Sequence, residues 1–296
     1  MNRYCYYNGV IVELGEVKIS PYDLGFMRGY GIFDAMRTTN GTLFCFDEHW
    51  NKFEKSAQDL GLKLPIAKKD FKDAVDVLLK KNNLKEGAIK TILTGGESNN
   101  GFNKLENSTL LILVDDLNKF LVAPEFYEKG WKIILLESQR FLPEIKTLNY
   151  LIPIKNQDNK IAHGAQEIVY KKEGKILECS TSNIFMIKDG VIVTPRENIF
   201  LGTVRNLVIE IAKKNGFEVI ERDIEMDEFL LADEVFITAT YKKIIPVVNI
   251  DSTLINDGAV GEKTKELMKL LDEFMENYSQ DKKIIRQLDC QNINKH

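Results

Sequence analysis

The pattern of apolar and polar positions predicts a chain in which strands and helices alternate. Three Asn-Gly or Asp-Gly pairs, at residues 8–9, 40–41 and 189–190, lie between strand-like runs. Because these residue types tolerate positive φ, each pair predicts a two-residue β-hairpin. Apolar runs predict further strands over residues 88–93, 109–114, 131–136, 167–170 and 234–238.

A spacing of three or four residues between apolar positions predicts the helices. Trp50, Phe53 and Ala57 form one apolar stripe, which predicts a helix from Asp47 to a stop at Gly61. Similar patterns predict helices over residues 69–81, 153–164 and 204–214.

Polar residues and a proline interrupt the pattern over residues 115–125, which predicts a connection between two domains. We therefore expect a small α/β domain over residues 1–117, a linker at 118–125 and a larger domain over residues 126–278. Residues 279–296 are rich in Asn, Gln and Lys and are expected to form a polar, frayed tail.

Composition places the chain among globular proteins. Of its 296 residues 44% are hydrophobic and 28% charged, and the net charge of −4 gives no reason to expect nucleic acid or an anionic membrane as partner. Four scattered cysteines indicate reduced thiols, and three histidines give no imidazole cluster for a metal. Since no apolar run is long enough to span a membrane, we expect a soluble, cytoplasmic protein.

Two charged residues have neighbours that suit chemistry. Lys146 has apolar residues on both sides, and partial burial would lower the pKa of its amine and make it nucleophilic towards an aldehyde. Glu178 precedes the run Ser-Thr-Ser-Asn at residues 180–183, which suits a polar pocket. The alternatives are a solvated surface amine for Lys146, as for most lysines, and an edge-strand carboxylate for Glu178.

Two segments could hold a phosphate. Gly-Thr-Val-Arg at residues 202–205 opens a predicted helix, where free N–H groups and the helix dipole favour an anion. Thr-Ala-Thr at residues 238–240 ends a predicted strand and carries two hydroxyl groups. Each signal is common in proteins that bind no phosphate, so neither decides alone.

Together these segments resemble the class IV, or fold-type IV, pyridoxal phosphate (PLP)-dependent aminotransferases. That family includes branched-chain aminotransferases, D-amino acid aminotransferases and aminodeoxychorismate lyases. The resemblance runs in motif order from Gly9 to residues 258–262, and its most specific parts are residues 28–37, 145–150, 178–185, 201–205 and 232–238. It implies an α/β (α+β) homodimer of two-domain subunits, with a β-barrel-like sheet in the larger, C-terminal domain.

The resemblance also implies residue roles. Lys146 would form the Schiff base with PLP and move the Cα proton, Glu178 would pair with the ring nitrogen, and Tyr150 would lie beside the ring's phenolic oxygen. The other residues implied to contact the cofactor are Lys52, Ser182, Asn183, Thr203, Val204, Ala239 and Thr240. Those implied for the substrate are Arg28, Phe33 and Lys90. No metal is implied.

The chain departs from the family pattern in three places. Lys52 stands where the family usually has an arginine that holds the phosphate. Asn100 and Phe102 stand where D-amino acid aminotransferases have an arginine and a histidine. Val204 and Ala239 lack hydroxyl groups that often lie beside the phosphate. The first and third departures bear on cofactor affinity, and the second bears on substrate class.

With no arginine near Asn100, the substrate carboxylate needs another cation, and Arg28 and Lys90 are the candidates. An interface salt bridge for Arg28 and a surface amine for Lys90 are equally open. The expected activity is transfer of an amino group between an amino acid, such as D-alanine or a branched-chain amino acid, and a 2-oxo acid. Two alternatives are an aminodeoxychorismate lyase and a non-catalytic PLP-binding scaffold.

Overall fold

The structure is a computed structural model that describes residues 3–278, and it contains two β-sheets with helices packed against them. The predicted tail at 279–296 lies outside the described residues. The mixed α/β architecture confirms the predicted fold class. The strands of the first sheet all come from the chain before residue 117 and those of the second from residues after 130. The domain limits and the linker at 118–125 stay predictions.

The first sheet is antiparallel, with strand order β2-β1-β6-β5-β3-β4. Its strands are β1 (Tyr4–Tyr7), β2 (Val10–Glu13), β3 (Gly31–Thr39), β4 (Thr42–Leu43), β5 (Gly87–Thr94) and β6 (Thr109–Asp116). The helices of this part of the chain are α1 (Leu24–Arg28), α2 (Phe46–Asp59) and α3 (Lys68–Lys81).

Residues of β3 alternate between a core and a cavity. Ile32 and Met36 are buried in the core that contains Trp50 of α2, whereas Phe33 and Ala35 line the cavity described below. Successive side chains of a strand point to opposite faces, so one strand both anchors the helices and supplies the cavity wall. Burial of each large core side chain contributes roughly 1.5–3 kcal/mol to folding.

The second sheet has the order β12-β11-β10-β14-β15-β7-β8-β9-β13, with β16 beside β15. The sheet curls, since β9 and β10 are far apart in this order and yet contact each other, and Cys179 N–H donates to the Ser182 carbonyl at 2.8 Å in the turn between them. This curl confirms the predicted barrel-like core. Its strands are β7 (Trp131–Glu137), β8 (Glu167–Lys172), β9 (Lys175–Cys179), β10 (Asn183–Lys188), β11 (Val191–Thr194), β12 (Val219–Glu221), β13 (Ile224–Glu225), β14 (Glu234–Ala239), β15 (Lys243–Ile250) and β16 (Thr253–Leu254).

The remaining helices are α4 (Glu125–Lys129), α5 (Leu151–Lys155), α6 (Gln157–Ala162), α7 (Thr203–Lys214), α8 (Met226–Leu230) and α9 (Glu262–Glu276). Short 3₁₀ helices cover Leu14–Glu16, Leu117–Phe120 and Asn256–Gly258. Helix α7 buries Leu207 and Val208 in a core that it shares with α9 and with Phe236 of β14. This packing fixes the N-terminus of α7 at the cavity.

All three predicted hairpins are present. Tyr7 pairs with Val10, Thr39 with Thr42, and residue 188 with residue 191. In each turn both central residues have positive φ, for example 45° at Asn8 and 100° at Gly9. That conformation is the one for which Asn-Gly and Asp-Gly pairs are favoured.

Three predicted boundaries were wrong. The single helix over 153–164 is two helices that meet at Asn156, whose side-chain amide donates to the Ile152 carbonyl at 2.9 Å; such local side-chain bonds compete with helix continuation. The helix from Asp47 to Gly61 instead starts at Phe46 and ends at Asp59, with Cys45 as its N-cap. Residues 115 and 116 were predicted to belong to the connection between the two domains, but they are the last two residues of β6.

Candidate active site

A cavity of about 630 Å³ lies between the two sheets. It is lined by residues of β3, β5 and β6 on one side and by residues around β9, β10, α7 and the β14–β15 turn on the other. Eleven of the thirteen predicted site residues line it: Phe33, Lys90, Lys146, Tyr150, Glu178, Ser182, Asn183, Thr203, Val204, Ala239 and Thr240. The sequence motifs therefore converge on one place.

Lys146 is held by its backbone against β3. Its carbonyl accepts from Phe33 N–H at 2.9 Å, and its Nζ lies 5.1 Å from the Phe33 ring and 4.7 Å from the Phe200 ring. Burial, reinforced by the nearby guanidinium of Arg140, lowers the pKa of Lys146 to about 8. A sizeable fraction of the amine is therefore neutral, and nucleophilic, near neutral pH.

Glu178 is buried near the end of β9, and two donors orient its carboxylate. One oxygen accepts from Phe200 N–H at 3.2 Å and the other from Arg140 Nη1 at 3.3 Å. Burial raises the pKa of Glu178 to about 7, although Arg140, Phe200 N–H and Lys146 oppose the rise. A buried carboxylate in this position can accept a charge-assisted hydrogen bond from a protonated ring nitrogen.

Arg140 is a site residue that the sequence analysis missed. Besides Glu178 it binds the Ile145 carbonyl through Nη2 at 2.8 Å, so it also orders the segment that carries Lys146. Its guanidinium lies 6.0 Å from the ring of Tyr150 and 6.0 Å from that of Phe200. Two general considerations could have identified Arg140 from the sequence. A buried Glu178 requires a counter-charge, and Arg140 is close to Lys146 along the chain.

The N-terminus of α7 lies at the cavity, and free N–H groups at a helix start favour an anion. Thr203 is the first helical residue, and its hydroxyl lies 3.3 Å from Lys52 Nζ, which also binds Glu48 at 2.7 Å. Lys52 is not among the residues that line the cavity, so it reaches the edge of the site through Thr203. Val204 is buried in the core beneath the helix start, which leaves its backbone N–H as the group available to a ligand.

Asn183, which was predicted to contact the cofactor, also shapes the backbone beside the cavity. Its side chain donates to the Phe200 carbonyl at 2.6 Å and accepts from Gly202 N–H at 3.2 Å. A Cβ at Gly202 would lie 2.3 Å from Asn183 Oδ1, so the loop needs glycine there. Asn183 therefore shapes the loop that leads into α7, in addition to lining the cavity.

Ser182 belongs to a buried ion-pair cluster that the sequence analysis did not identify. Lys242 Nζ lies 2.8 Å from Glu167 and 3.0 Å from the Ser182 hydroxyl, and both Ser180 and Thr181 donate to Glu167. Although burial opposes ionisation, Lys242 and the hydroxyl donors hold the pKa of Glu167 below its usual range. The cluster ties the β9–β10 turn to the β14–β15 turn.

A second unpredicted pair lies beside the cavity. Asp34 and His49 are both buried, and Asp34 Oδ2 lies 2.7 Å from His49 Nδ1. His49 and Lys146 together hold the pKa of Asp34 below its usual range, against the opposing effect of burial. The pair places a negative charge near the amine of Lys146.

The predicted substrate residues fall into two groups. Phe33 packs edge-on against Tyr150 with ring centroids 5.4 Å apart, and Lys90 Nζ lies 5.5 Å from the Phe33 ring. Arg28 lies outside this cavity: its Nε donates to the Gly101 carbonyl at 3.2 Å, and its guanidinium covers Phe102 at 4.7 Å. Within one chain, Arg28 is not a cavity residue.

Comparison with known proteins identifies the family. Residues 31–250 match the family model for amino-transferase class IV, so the chain belongs to this family. A protein of Methanocaldococcus jannaschii named "Putative branched-chain-amino-acid aminotransferase" is 32% identical over 272 residues, covering 88% of this chain and 93% of that protein. A D-alanine aminotransferase of Listeria innocua is 32% identical over 274 residues, covering 88% and 92%.

Solved structures agree. A branched-chain amino acid aminotransferase from T.th., solved with pyridoxamine 5'-phosphate, superposes with a TM-score of 0.86 at 26% identity, covering 94% of this chain and 95% of that one. The expected fold, enzyme class and cofactor are therefore confirmed: the protein is a PLP-dependent aminotransferase of class IV.

The cavity fits PLP. It presents a lysine with a lowered pKa, a buried carboxylate and the N-terminus of α7. At the end of β14, the buried Thr238 hydroxyl has no hydrogen-bond partner within the described part of the chain, as expected where a ligand oxygen would bind. Within residues 3–278, no helix is long and apolar enough to cross a membrane.

Proposed function

We propose that the protein transfers the amino group of D-alanine, a similar D-amino acid or a branched-chain amino acid to a 2-oxo acid. The observation that carries the proposal is that Lys146 and Glu178 line one cavity, since the resemblance to the family implies that they are the catalytic lysine and the partner of the ring nitrogen. The names of the relatives support both substrate groups.

Each proposed residue has a physical task. Bound PLP supplies an electron sink for the substrate's Cα carbanion. With PLP bound, the Lys146 amine would take the substrate's Cα proton and return it, and the Glu178 carboxylate would hold a proton on the ring nitrogen. Arg140 orients Glu178, and Tyr150 contacts the ring. Lys52, Thr203, Thr240 and the backbone N–H groups of Val204 and Ala239 would hold the phosphate of PLP, and Ser182 and Asn183 would complete the cofactor pocket.

The substrate carboxylate is proposed to lie against Phe33 and Lys90. Lys90 is exposed and lines the cavity, so its ammonium can reach a ligand. Arg28 would contribute only from a second subunit. Support for a homodimer comes from large exposed apolar residues, among them Phe26 at 77% and Phe102 at 74%, both near Arg28. A cytoplasmic location is proposed because Cys5 and Cys179 are buried thiols that form no disulfide within the described residues.

Half-reactions test the substrate proposal. The PLP form is mixed with single L- and D-amino acids, and loss of the bound cofactor's absorbance band is followed. We expect rapid loss with D-alanine or with a branched-chain amino acid. Pyruvate release from aminodeoxychorismate without a 2-oxo acid would instead identify a lyase, and no band after PLP addition would identify a non-catalytic scaffold.

The variant Arg28→Ala tests the proposal that Arg28 contributes to the substrate site of a second subunit. If Arg28 of one subunit serves the other's site, the variant should raise KM for the amino acid while light scattering still gives a dimer. Loss of the dimer with unchanged amino acid affinity would make Arg28 structural.

A further inference from the structure

Tyr241 is a cavity residue that connects the two sheets. It follows Thr240 in the turn between β14 and β15, and its hydroxyl donates to the Ile89 carbonyl on β5 at 3.0 Å. Its ring lies 5.3 Å from the ring of Phe120, which also lines the cavity. The tyrosine is therefore held both at its hydroxyl and at its ring.

The hydrogen bond to Ile89 indicates where the Tyr241 ring lies in the cavity. Ile89 lies between Ala88 and Lys90, both of which line the cavity, so the Tyr241 ring stands at the end formed by β5. Phe33 connects this end to the reactive amine, because its ring is within 5.1 Å of Lys146 Nζ and within 5.5 Å of Lys90 Nζ. A substrate attached near Lys146 would extend its side chain along this wall.

The wall is rigid. Burial, with smaller contributions from Asp34 and Asp115, raises the pKa of Tyr241, so the phenol stays protonated and keeps donating its hydrogen bond at neutral pH. To make room for a longer ligand, the ring would have to break this bond and leave Phe120.

We infer that Tyr241, supported by Phe120, sets the upper limit on the length of the substrate side chain. The inference rests on the proposed function for its substrate class, and it adds a specificity residue that the sequence analysis did not identify. A shortened side chain at position 241 would remove the ring from this end of the cavity and leave space for a longer ligand.

The test uses a series of straight-chain amino acids: alanine, 2-aminobutyrate, norvaline and norleucine, in the handedness that the wild type prefers. The holoenzyme's kcat/KM is measured for each. Since one methylene in an apolar pocket is worth about 10-fold or more in specificity, Tyr241→Ala should raise the norleucine-to-alanine ratio by at least roughly 10-fold. Tyr241→Phe keeps the ring and should change the ratio by less than about threefold.

Tyr127 offers a matched control. Its hydroxyl donates to the Lys242 carbonyl at 3.1 Å, so it anchors the same turn, but it does not line the cavity. Tyr127→Ala should leave the length profile unchanged. The inference would be overturned if Tyr241→Ala lowered kcat/KM equally for all four amino acids. It would also be overturned if Tyr127→Ala changed the norleucine-to-alanine ratio as much as Tyr241→Ala does.

A binding measurement separates this inference from the proposed function. Calorimetry with the straight-chain carboxylic acids of three to six carbons measures side-chain length directly on the holoenzyme. If the wild type transfers no amino group, the proposed function fails, but Tyr241→Ala should still favour the longer acids. An unchanged profile in this assay would refute the role of Tyr241 whatever the reaction is.

Discussion

Arg140 and Glu178 form a buried pair in which Nη1 lies 3.3 Å from the carboxylate, and both side chains are less than 10% exposed. The same guanidinium holds the Ile145 carbonyl, directly before Lys146. Arg140 thus connects the group that holds the ring nitrogen's proton to the segment that carries the amine. A buried charge pair of this kind is sensitive to loss of either partner, because the remaining charge is left unpaired.

Replacing Arg140 should therefore affect both groups. Arg140→Met removes a cation that lowers the pKa of both Lys146 and Glu178. Both pKa values should rise, which leaves less neutral amine and less carboxylate at pH 7, so the half-reaction should slow by about 10-fold or more. Stopped-flow absorbance measures this rate. Arg196→Met, at an exposed arginine, is the control, and equal rates in the two variants would remove Arg140 from the mechanism.

Glu178→Gln tests the charge on the same carboxylate. The amide keeps the shape of the side chain but cannot hold a proton on the ring nitrogen, so the ring becomes a poorer electron sink. We expect the half-reaction to slow by on the order of 10²–10³, as for other preorganised electrostatic contacts, while PLP stays bound. A rate close to that of the wild type would exclude this role.

The lowered pKa of Lys146 predicts a pH dependence. The amine is an ammonium below its pKa of about 8 and neutral above it, and only the neutral form attacks an aldehyde. Capture of PLP by the apoprotein should accelerate from pH 7 to 9 and level off above that range. A free lysine side chain titrates near 10.4 and serves as the reference. A rate still rising steeply at pH 10 would show that the pKa of Lys146 is not lowered.

Lys52 should be a weaker phosphate anchor than an arginine. A guanidinium can donate two parallel hydrogen bonds to a phosphate, whereas an ammonium acts as a point charge. Lys52→Arg should tighten PLP binding by about 1 kcal/mol, roughly fivefold in Kd, measured by fluorescence titration of the apoprotein. Lys55→Arg, on the same helix and paired with Asp59 at 2.9 Å, should have no effect. Unchanged or weaker binding in the Lys52 variant would mean that the pocket is shaped around lysine and its bond to Glu48.

Local features of the fold could be predicted from the sequence. The hairpin turn at Asn40 and Gly41 depends on the conformations of two adjacent residues, and helix α3 depends on the spacing of its own apolar residues. The break at Asn156 could not be predicted, because it depends on one side chain that competes for a helical carbonyl.

The site divides in the same way. The functional groups of Lys146, Glu178 and Thr203 each lie within a recognisable local sequence. They could therefore be predicted, and all three residues line the cavity. Arg140 is 38 residues from Glu178, and Lys242 is 75 residues from Glu167. Such pairs are created by the order of the strands in the second sheet, which no local pattern encodes. Arg28 was selected by its charge and by its place in the loop at residues 28–31, and within one subunit its guanidinium packs on Phe102.

The central claim is that Lys146 is the residue that bonds covalently to PLP. Borohydride reduction of the PLP-loaded protein, followed by peptide mapping, tests it most directly. We predict the pyridoxyl label on Lys146 and none on Lys52, Lys90 or Lys242, with no label in Lys146→Ala. A label on another lysine in the wild-type protein would contradict the account.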